Sequence, residues 1–244
     1  MEVIITKNHA ESCQKTAEII AKIINKQEKP VLGLATGGTA EQVYSELVQI
    51  HEANKVSFKN VSTLNLDEYL GLSPEHDQSY RYFMNSHLFN KVDIDLKNTY
   101  VPIGNADNKI ELQKFQQKLA SMPRHFQLLG VGPNGHIAFN EPSKVLHADA
   151  HIVDIAESTI EANARYFASK NDVPKQAFTQ GMGDILKAEC VVLLATGANK
   201  VDAMKKMLLS DDITTGSPCT FLKVHPNCII FIDQELADLI GYKG

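Results

Sequence analysis

No run of basic residues occurs in this 244-residue sequence, whose 24 Lys and Arg are interspersed among 29 Asp and Glu for a formal net charge of -5. Without a basic stripe to neutralise a row of phosphates, nucleic acid is not an expected partner. Long apolar runs are missing too. The longest stretches, such as Val191 to Thr196 and Cys228 to Ile232, fall far short of the roughly 20 residues a bilayer span needs, and the N-terminus lacks a signal peptide's apolar core. The expectation is a cytoplasmic protein without membrane contact. The four cysteines, Cys13, Cys190, Cys219 and Cys228, show no CxxC spacing and two sit in apolar runs, so they read as reduced packing residues. HExxH and Cys/His ligand spacings are absent, and the glycine turn after VLGL matches neither GxxxxGK[ST] nor GxGxxG. Neither a metal nor a nucleotide cofactor is expected. No internal repeat, low-complexity tract or composition shift marks a linker, and residues 1–244 read as one domain.

What is present is an alternation. Short β-branched runs at Val3 to Thr6, Val31 to Ala35, Val61 to Leu66, Thr99 to Pro102, Phe126 to Val131, His151 to Val153, Val191 to Thr196 and Cys228 to Ile232 predict strands. Between them, His9 to Asn25, Ala40 to Ala53, Tyr80 to Asn90, Asn108 to Met122, Glu157 to Ala168, Ala198 to Leu209 and Gln234 to Ile240 carry apolar residues at helical spacing. Gly104 to Asp107 and Ser210 to Pro218 read as loops. The pattern predicts an α/β protein with a Rossmann-like, open, mostly parallel sheet and helices on both faces. Ligands of such sheets bind at the carboxyl ends of the strands, so chemistry is sought there.

Three such places stand out. After the run VLGL come Ala35, Thr36, Gly37, Gly38 and Thr39, then a helical pattern. Adjacent glycines admit a ligand to the backbone, and the first amides of a helix suit an anion; taken alone, the segment reads equally well as a tight turn capped by Thr39. The strand at Val61 to Leu66 stops at Asp67, Glu68 and Tyr69. A carboxylate here can move a proton next to a carbonyl, although paired acids after a strand are often helix caps or solvated loop residues. The third place is the sharpest. Gly130 to Pro142 reads GVGPNGHIAFNEP, in which His136 titrates near neutral pH and Glu141 can orient it, with Asn134 close by.

These segments, LGLATGGT, STLNLDEYLGL, GVGPNGHIAFNEP, ANARYF and ATGANK, resemble the glucosamine-6-phosphate deaminase family across nearly the whole chain. The resemblance implies conversion of glucosamine 6-phosphate and water to fructose 6-phosphate and ammonia, through ring opening and isomerisation via an enolamine, with no cofactor. By the same resemblance Asp67 takes the C2 proton and delivers it to C1, His136 helps open the pyranose ring, and Glu141 is its partner. Thr36, Gly37, Gly38 and Thr39 match the phosphate loop, and Arg165 and Lys200 the basic residues at the substrate phosphate. The expected partner is a small sugar phosphate, and the assembly a monomer or small homo-oligomer.

Two departures from the family pattern stand out. Where many relatives carry Asp in the ring-opening set, this chain has Asn134, which cannot exchange a proton as a carboxylate does. Asn134 is expected to orient His136 by a hydrogen bond instead. The basic pair that longer, allosteric relatives place after NEP is missing from His147 to Val153, implying an unregulated member. The nearest enzymatic alternative is 6-phosphogluconolactonase, against which NLDEY and FNEP argue. The sugar-sensing domain of a transcription regulator would need a helix-turn-helix, whereas this sequence begins with a strand. A deaminase of the galactosamine epimer is not separated by sequence.

Overall fold

The apolar runs of the sequence are gathered into two sheets rather than one. In the computed structural model the chain passes through β1 (Glu2–Thr6), α1 (His9–Lys26), β2 (Val31–Leu34), α2 (Gly38–Glu52), β3 (Ser62–Asn65), β4 (Asp67–Tyr69), α3 (Tyr80–His87), β5 (Thr99–Tyr100), α4 (Asn108–Ser121) and β6 (Phe126–Gly130). It continues through β7 (His151–Asp154), α5 (Glu157–Asn163), β8 (Gln176–Thr179), α6 (Met182–Leu186), β9 (Val191–Ala195), α7 (Val201–Leu208), β10 (Cys228–Asp233) and α8 (Gln234–Ile240). All 244 residues are described, the side chains of Ser158 and Ala162 excepted.

Seven strands form a parallel sheet in the order β1-β10-β9-β6-β2-β3-β5. Its middle is apolar throughout: all five residues of β9 are buried, as a parallel strand covered on both faces requires. Helices cover the two sides, with α1 packed on α2 and α7 on α8. The longest, α1, shows why: Asn8 caps its first turn by accepting from Glu11 N, and its buried stripe runs Cys13, Ala17, Ile20, Ala21, Ile24 at helical spacing. From β2 the chain moves outward to β3 and β5, then returns to the other side of β2 at β6. Strand order therefore reverses between β2 and β6, and the segments leaving their carboxyl ends, residues 35–39 and 131–141, open onto the same crevice.

The second sheet is antiparallel, in the order β4-β8-β7. It is joined to the first by Phe178 of β8, fully buried with Leu64, Tyr100, Phe115, Leu119 and Ala150. The run His151 to Val153, expected in the parallel sheet, lies here instead, because its residues are only partly buried and cannot fill a strand covered on both faces. β8 and α6 carry too few residues, four and five, to announce themselves by periodicity. The acids after the third strand sit on β4 rather than in a turn. The helix expected over Glu157 to Ala168 ends at Asn163 and passes through a 3-10 turn at Ala164–Tyr166, after which Phe167 is extended and meets the Tyr69 ring at 6.0 Å. Tyr80 to Asn90 likewise splits into α3 and a 3-10 turn at Phe89–Lys91. Ala198 to Leu209 begins with a 3-10 turn at Ala198–Lys200 before α7.

Because Phe178 is fully buried in the cluster that joins the two sheets, Phe178→Ala is expected to destabilise the protein by roughly 3–5 kcal/mol through lost transfer energy and a residual cavity. An unchanged midpoint in urea unfolding would contradict this account of how the small sheet is held.

Candidate active site

β4 presents two acids with opposite surroundings. Glu68 accepts three amides, from Tyr69 at 2.9 Å, Tyr80 at 2.9 Å and Arg81 at 3.0 Å, and so caps the start of α3. Burial pushes its carboxyl up to about 7, and those amides and the Arg81 charge hold it from going further. Asp67, 7% exposed, has no hydrogen-bond partner on its carboxylate among the described residues. Burial first, and the neighbouring charge of Glu68 second, push it up to about 8. The two acids of the pair thus differ: Glu68 caps a helix, and Asp67 carries no such partner among the described residues.

The loop after β6 carries the second titratable centre. His136 lies against Gly132, where an added Cβ would fall 2.3–2.5 Å from three atoms of the ring; only a glycine lets the imidazole take this place. Its Nδ1 is 3.1 Å from Glu141 Oε1. The carboxylate thus faces the buried ring nitrogen at close range without a hydrogen bond of regular geometry. Glu141 Oε1 also accepts Thr159 Oγ1 at 2.8 Å, and its Oε2 accepts Asn134 Nδ2 at 2.7 Å. Burial opposes ionisation of Glu141, yet these contacts with His136, Asn134 and Thr159 outweigh it and hold the carboxyl below its usual value. Asn134 does bond to His136, but to its backbone: His136 N donates to Asn134 Oδ1 at 3.1 Å, and the ring is oriented through Glu141. With Nδ1 buried against Glu141, Nε2 is the nitrogen left for a ligand.

The turn that follows holds Ala138 in the left-handed region, φ 53°, a strained conformation for a residue with a side chain. It persists because the two residues after it are anchored at the end of β8 and Asn140 reaches back to Ile137 before it. Phe139 N donates to Thr179 Oγ1 at 3.2 Å, and Asn140 Nδ2 donates to Ile137 O and Gln180 O at 3.0 and 2.8 Å.

Between β2 and α2 the loop Thr36, Gly37, Gly38, Thr39 is partly to fully exposed. Gly37 has φ 104° and ψ 171°, and its carbonyl accepts the amides of Ala40 and Glu41. The helix starts at Gly38, earlier than expected, with no side-chain cap; the amides of Gly38 and Thr39 have no acceptor among the described residues, the state of an anion-ready helix start. The loop after β9 stands beside it. His9 Nδ1 is 2.8 Å from Thr196 Oγ1, while Cys13 Sγ is 3.4 Å from His9 Nε2 and 3.8 Å from Thr39 O. That second loop ends at Lys200, half-buried, with no carboxylate partner among the described residues, and burial lowers its pKa. Arg165 is not brought to these loops: it is exposed, with its guanidinium on the Tyr166 ring, 4.7 Å from the centroid, and bonded to Tyr166 Oη at 2.8 Å.

Several contributors have no signal of their own in the sequence. Thr159, Thr179, Gln180, His9 and Tyr69 act through partners far along the chain; Tyr69 meets Tyr80, Phe139 and Phe167 at 4.8–6.0 Å and accepts Asn163 Nδ2 at 2.8 Å. A surface cleft of about 600 Å³ lined by Glu75, Arg81, Tyr82 and Asn85 contains none of the acid–base groups above. Among the described residues no group of three or more His, Cys, Asp and Glu could hold a metal ion, and no helix is long and apolar enough to cross a membrane.

Residues 6–230 match the family described as glucosamine-6-phosphate isomerases/6-phosphogluconolactonase. The chain is 45% identical over 242 residues to a glucosamine-6-phosphate deaminase of Clostridium perfringens strain 13, covering 98% of this chain and 100% of the relative. It superimposes on a solved monomeric glucosamine-6-phosphate deaminase with a TM-score of 0.94 at 40% identity, covering 98% of this chain and 100% of that one. A 6-phosphogluconolactonase from Trypanosoma cruzi shares the fold, with a TM-score of 0.76 at 18% identity over 97% of this chain and 96% of that one.

Holding Asp67 and Glu68 at raised values has a consequence for stability. The folded chain keeps their protons at pH values where the unfolded chain has lost them, so the fold is favoured at low pH and loses stability as pH rises from the ordinary carboxylate value of 3.8 towards about 8. Asp67→Asn removes the larger part of that cost. Its unfolding temperature is expected to exceed that of the unaltered protein by several degrees at pH 8.5 and by little at pH 4; a difference independent of pH would refute the assignment.

Proposed function

The chain belongs to the family of glucosamine-6-phosphate isomerases and 6-phosphogluconolactonases, and within it we propose that it is a glucosamine-6-phosphate deaminase, acting in amino-sugar catabolism. The observation that carries this reading is the presence of two separate candidate acid–base centres, buried Asp67 and the His136–Glu141 pair, whose segments are both tied to Thr179 at the end of β8. Hydrolysis of a lactone needs one base to activate water. Turning a cyclic amino sugar into a ketose needs two: one at the ring oxygen and one facing C1 and C2.

His136 Nε2 takes the O1 proton and returns it to O5 as the C1–O5 bond breaks, leaving an open aldehyde. Asp67, as carboxylate, then removes the C2 proton; the C–H electrons form C1=C2, the carbonyl electrons move onto O1, and O1 takes a proton from the C2 ammonium, giving the enolamine with a neutral amine. Asp67 delivers its proton to C1, the nitrogen lone pair makes an iminium at C2, and water adds there. Loss of ammonia leaves the C2 ketone of fructose 6-phosphate. Each step moves protons or adds water, so the reading calls for no cofactor or metal. A pKa near the working pH suits a group that must both accept and donate, which is what the raised value of Asp67 supplies. Asn134 serves as the amide that fixes Glu141 and does not exchange a proton itself.

The substrate phosphate is assigned to Thr36, Gly37, Gly38 and Thr39 with Lys200, whose unpaired, half-buried charge suits a dianion. Arg165 joins as a second cation only on leaving the exposed Tyr166. The reading includes a single catalytic domain over residues 1–244, working in the cytoplasm as a monomer or small homo-oligomer; the solved monomeric relative supports the simpler assembly.

Purified protein is expected to release ammonia from glucosamine 6-phosphate. Hydrolysis of 6-phosphogluconolactone without ammonia release would overturn the proposal. Asp67→Asn should abolish exchange of the C2 hydrogen with solvent while leaving substrate binding within a few-fold; retained exchange would remove Asp67 from its role. Lys200→Gln is expected to raise KM by about tenfold or more with a smaller change in kcat, the mark of binding shared by ground and transition states.

A further inference from the structure

Glu141 faces His136 and accepts two side-chain hydrogen bonds, one from Asn134 of its own loop and one from Thr159 of α5. We propose that Thr159, carried on α5, is a positioning residue for the His136–Glu141 pair: its hydroxyl occupies Glu141 Oε1 so that the carboxylate aligns His136 without drawing its proton away. The inference rests on the deaminase reading for its consequence in turnover, and on geometry for the coupling itself.

The same oxygen, Oε1, faces His136 Nδ1 at 3.1 Å and accepts Thr159 Oγ1 at 2.8 Å, while Oε2 accepts Asn134 Nδ2 at 2.7 Å. A hydroxyl donating to a carboxylate oxygen withdraws charge from it and fixes its direction. Without that donor, Oε1 would face His136 alone and bind the imidazolium more tightly. His136 would then stay protonated to higher pH, with Nε2 unable to accept the O1 proton. Among the described residues no other charged group intervenes. Glu157 and Glu161 of α5 are exposed and paired with Lys170. Asp154 of β7 is exposed and bonded to Gln176, and the end of β8 and the residue after it offer the uncharged Thr179 and Gln180. Thr159 itself is set by its neighbours, since Ile160 packs with Tyr69 and Phe139, and Asn163 donates to Tyr69 Oη. The link therefore runs from the aromatic cluster beside Asp67, through α5, to the carboxylate behind His136.

The test compares the full chain with Thr159→Val and Thr159→Ser. In the valine variant, the NMR titration midpoint of the His136 ring is expected to rise by roughly half to one pH unit. The acid limb of kcat/KM for ammonia release should move up with it, and kcat/KM at neutral pH should fall about tenfold, the size expected for a lost hydrogen bond to a charged group. Serine, which keeps the hydroxyl, should restore both. In a Glu141→Gln background the valine change should cost nothing further, since the acceptor it serves is gone. A His136 midpoint that does not move in Thr159→Val, a serine variant that behaves like valine, or a full additional loss on top of Glu141→Gln would each overturn the proposal. Absence of ammonia release from the unaltered protein would instead overturn the deaminase reading, because the ring titration reports the coupling without turnover.

Discussion

The site depends on the end of one short strand. Thr179, the last residue of β8, stands opposite Asp67 in the antiparallel register, and its hydroxyl accepts the amide of Phe139 from the loop of His136. The next residue, Gln180, donates its backbone amide to Leu66 O at 2.8 Å and its side-chain amide to Asn65 O at 3.1 Å, while its carbonyl accepts Asn140. Two consecutive residues thus tie the segment that carries the buried acid to the loop that carries the histidine. The two groups proposed to handle protons are fixed relative to one another by backbone and amide bonds rather than by contact between themselves. Such an arrangement leaves room for a substrate between them and still holds both in register.

Burial sets the chemistry of the carboxylates, and their hydrogen bonds separate them. Asp67 and Glu68 are adjacent and equally enclosed, yet three amides stabilise the charge of Glu68 and none that of Asp67. The acid with partners becomes a fixture of α3, and the acid without them becomes the one whose proton is available. Glu141 shows the opposite balance, with donors enough to remain ionised despite its surroundings. Asn134 has a direct part in this. An Asp at that position would set a second carboxylate 2.7 Å from Glu141, and the two would have to share a proton. The amide donates instead, so Glu141 stays charged behind His136 without competition.

The parallel sheet and its order of helices were legible because fully buried strands such as Val191–Ala195 and an amphipathic helix such as His9–Lys26 announce themselves by composition and period. The places of Asp67, His136 and the loop at residues 36–39 followed from the rule that ligands meet the carboxyl ends of strands. The small antiparallel sheet was not legible. Gln176–Thr179 is four residues long, and β7 had the look of another strand of the main sheet until its partial exposure and pairing partner were known. With β8 unseen, Thr179 and Gln180 had no reason to be singled out, although they do the most to assemble the site. Thr159 was hidden for a related reason: a threonine on a helix says nothing about a carboxylate 18 residues earlier until the turn at Ala138 has folded the loop back.

The proposed phosphate end of the site is built by using one local design twice for different purposes. After β2 the chain reads Ala35, Thr36, Gly37, and after β9 it reads Ala195, Thr196, Gly197. Both glycines take a positive φ, 104° and 84°, and a helical turn follows each. The first loop leaves its amides open. In the second, Gly197 N is already occupied by Asp233, with its two oxygens at 3.1 and 3.3 Å, so this loop has fewer amides to offer an anion and contributes a side chain, Lys200, instead. His9 and Cys13 hold the two loops side by side. A dianion placed there would meet neutral donors from one strand end and a full positive charge from the other, and the Asp233 carboxylate that anchors the second loop is turned away into its backbone rather than towards the anion. The opposing charge needed to shape the loop is thereby spent on an amide, which leaves Lys200 without a competing partner.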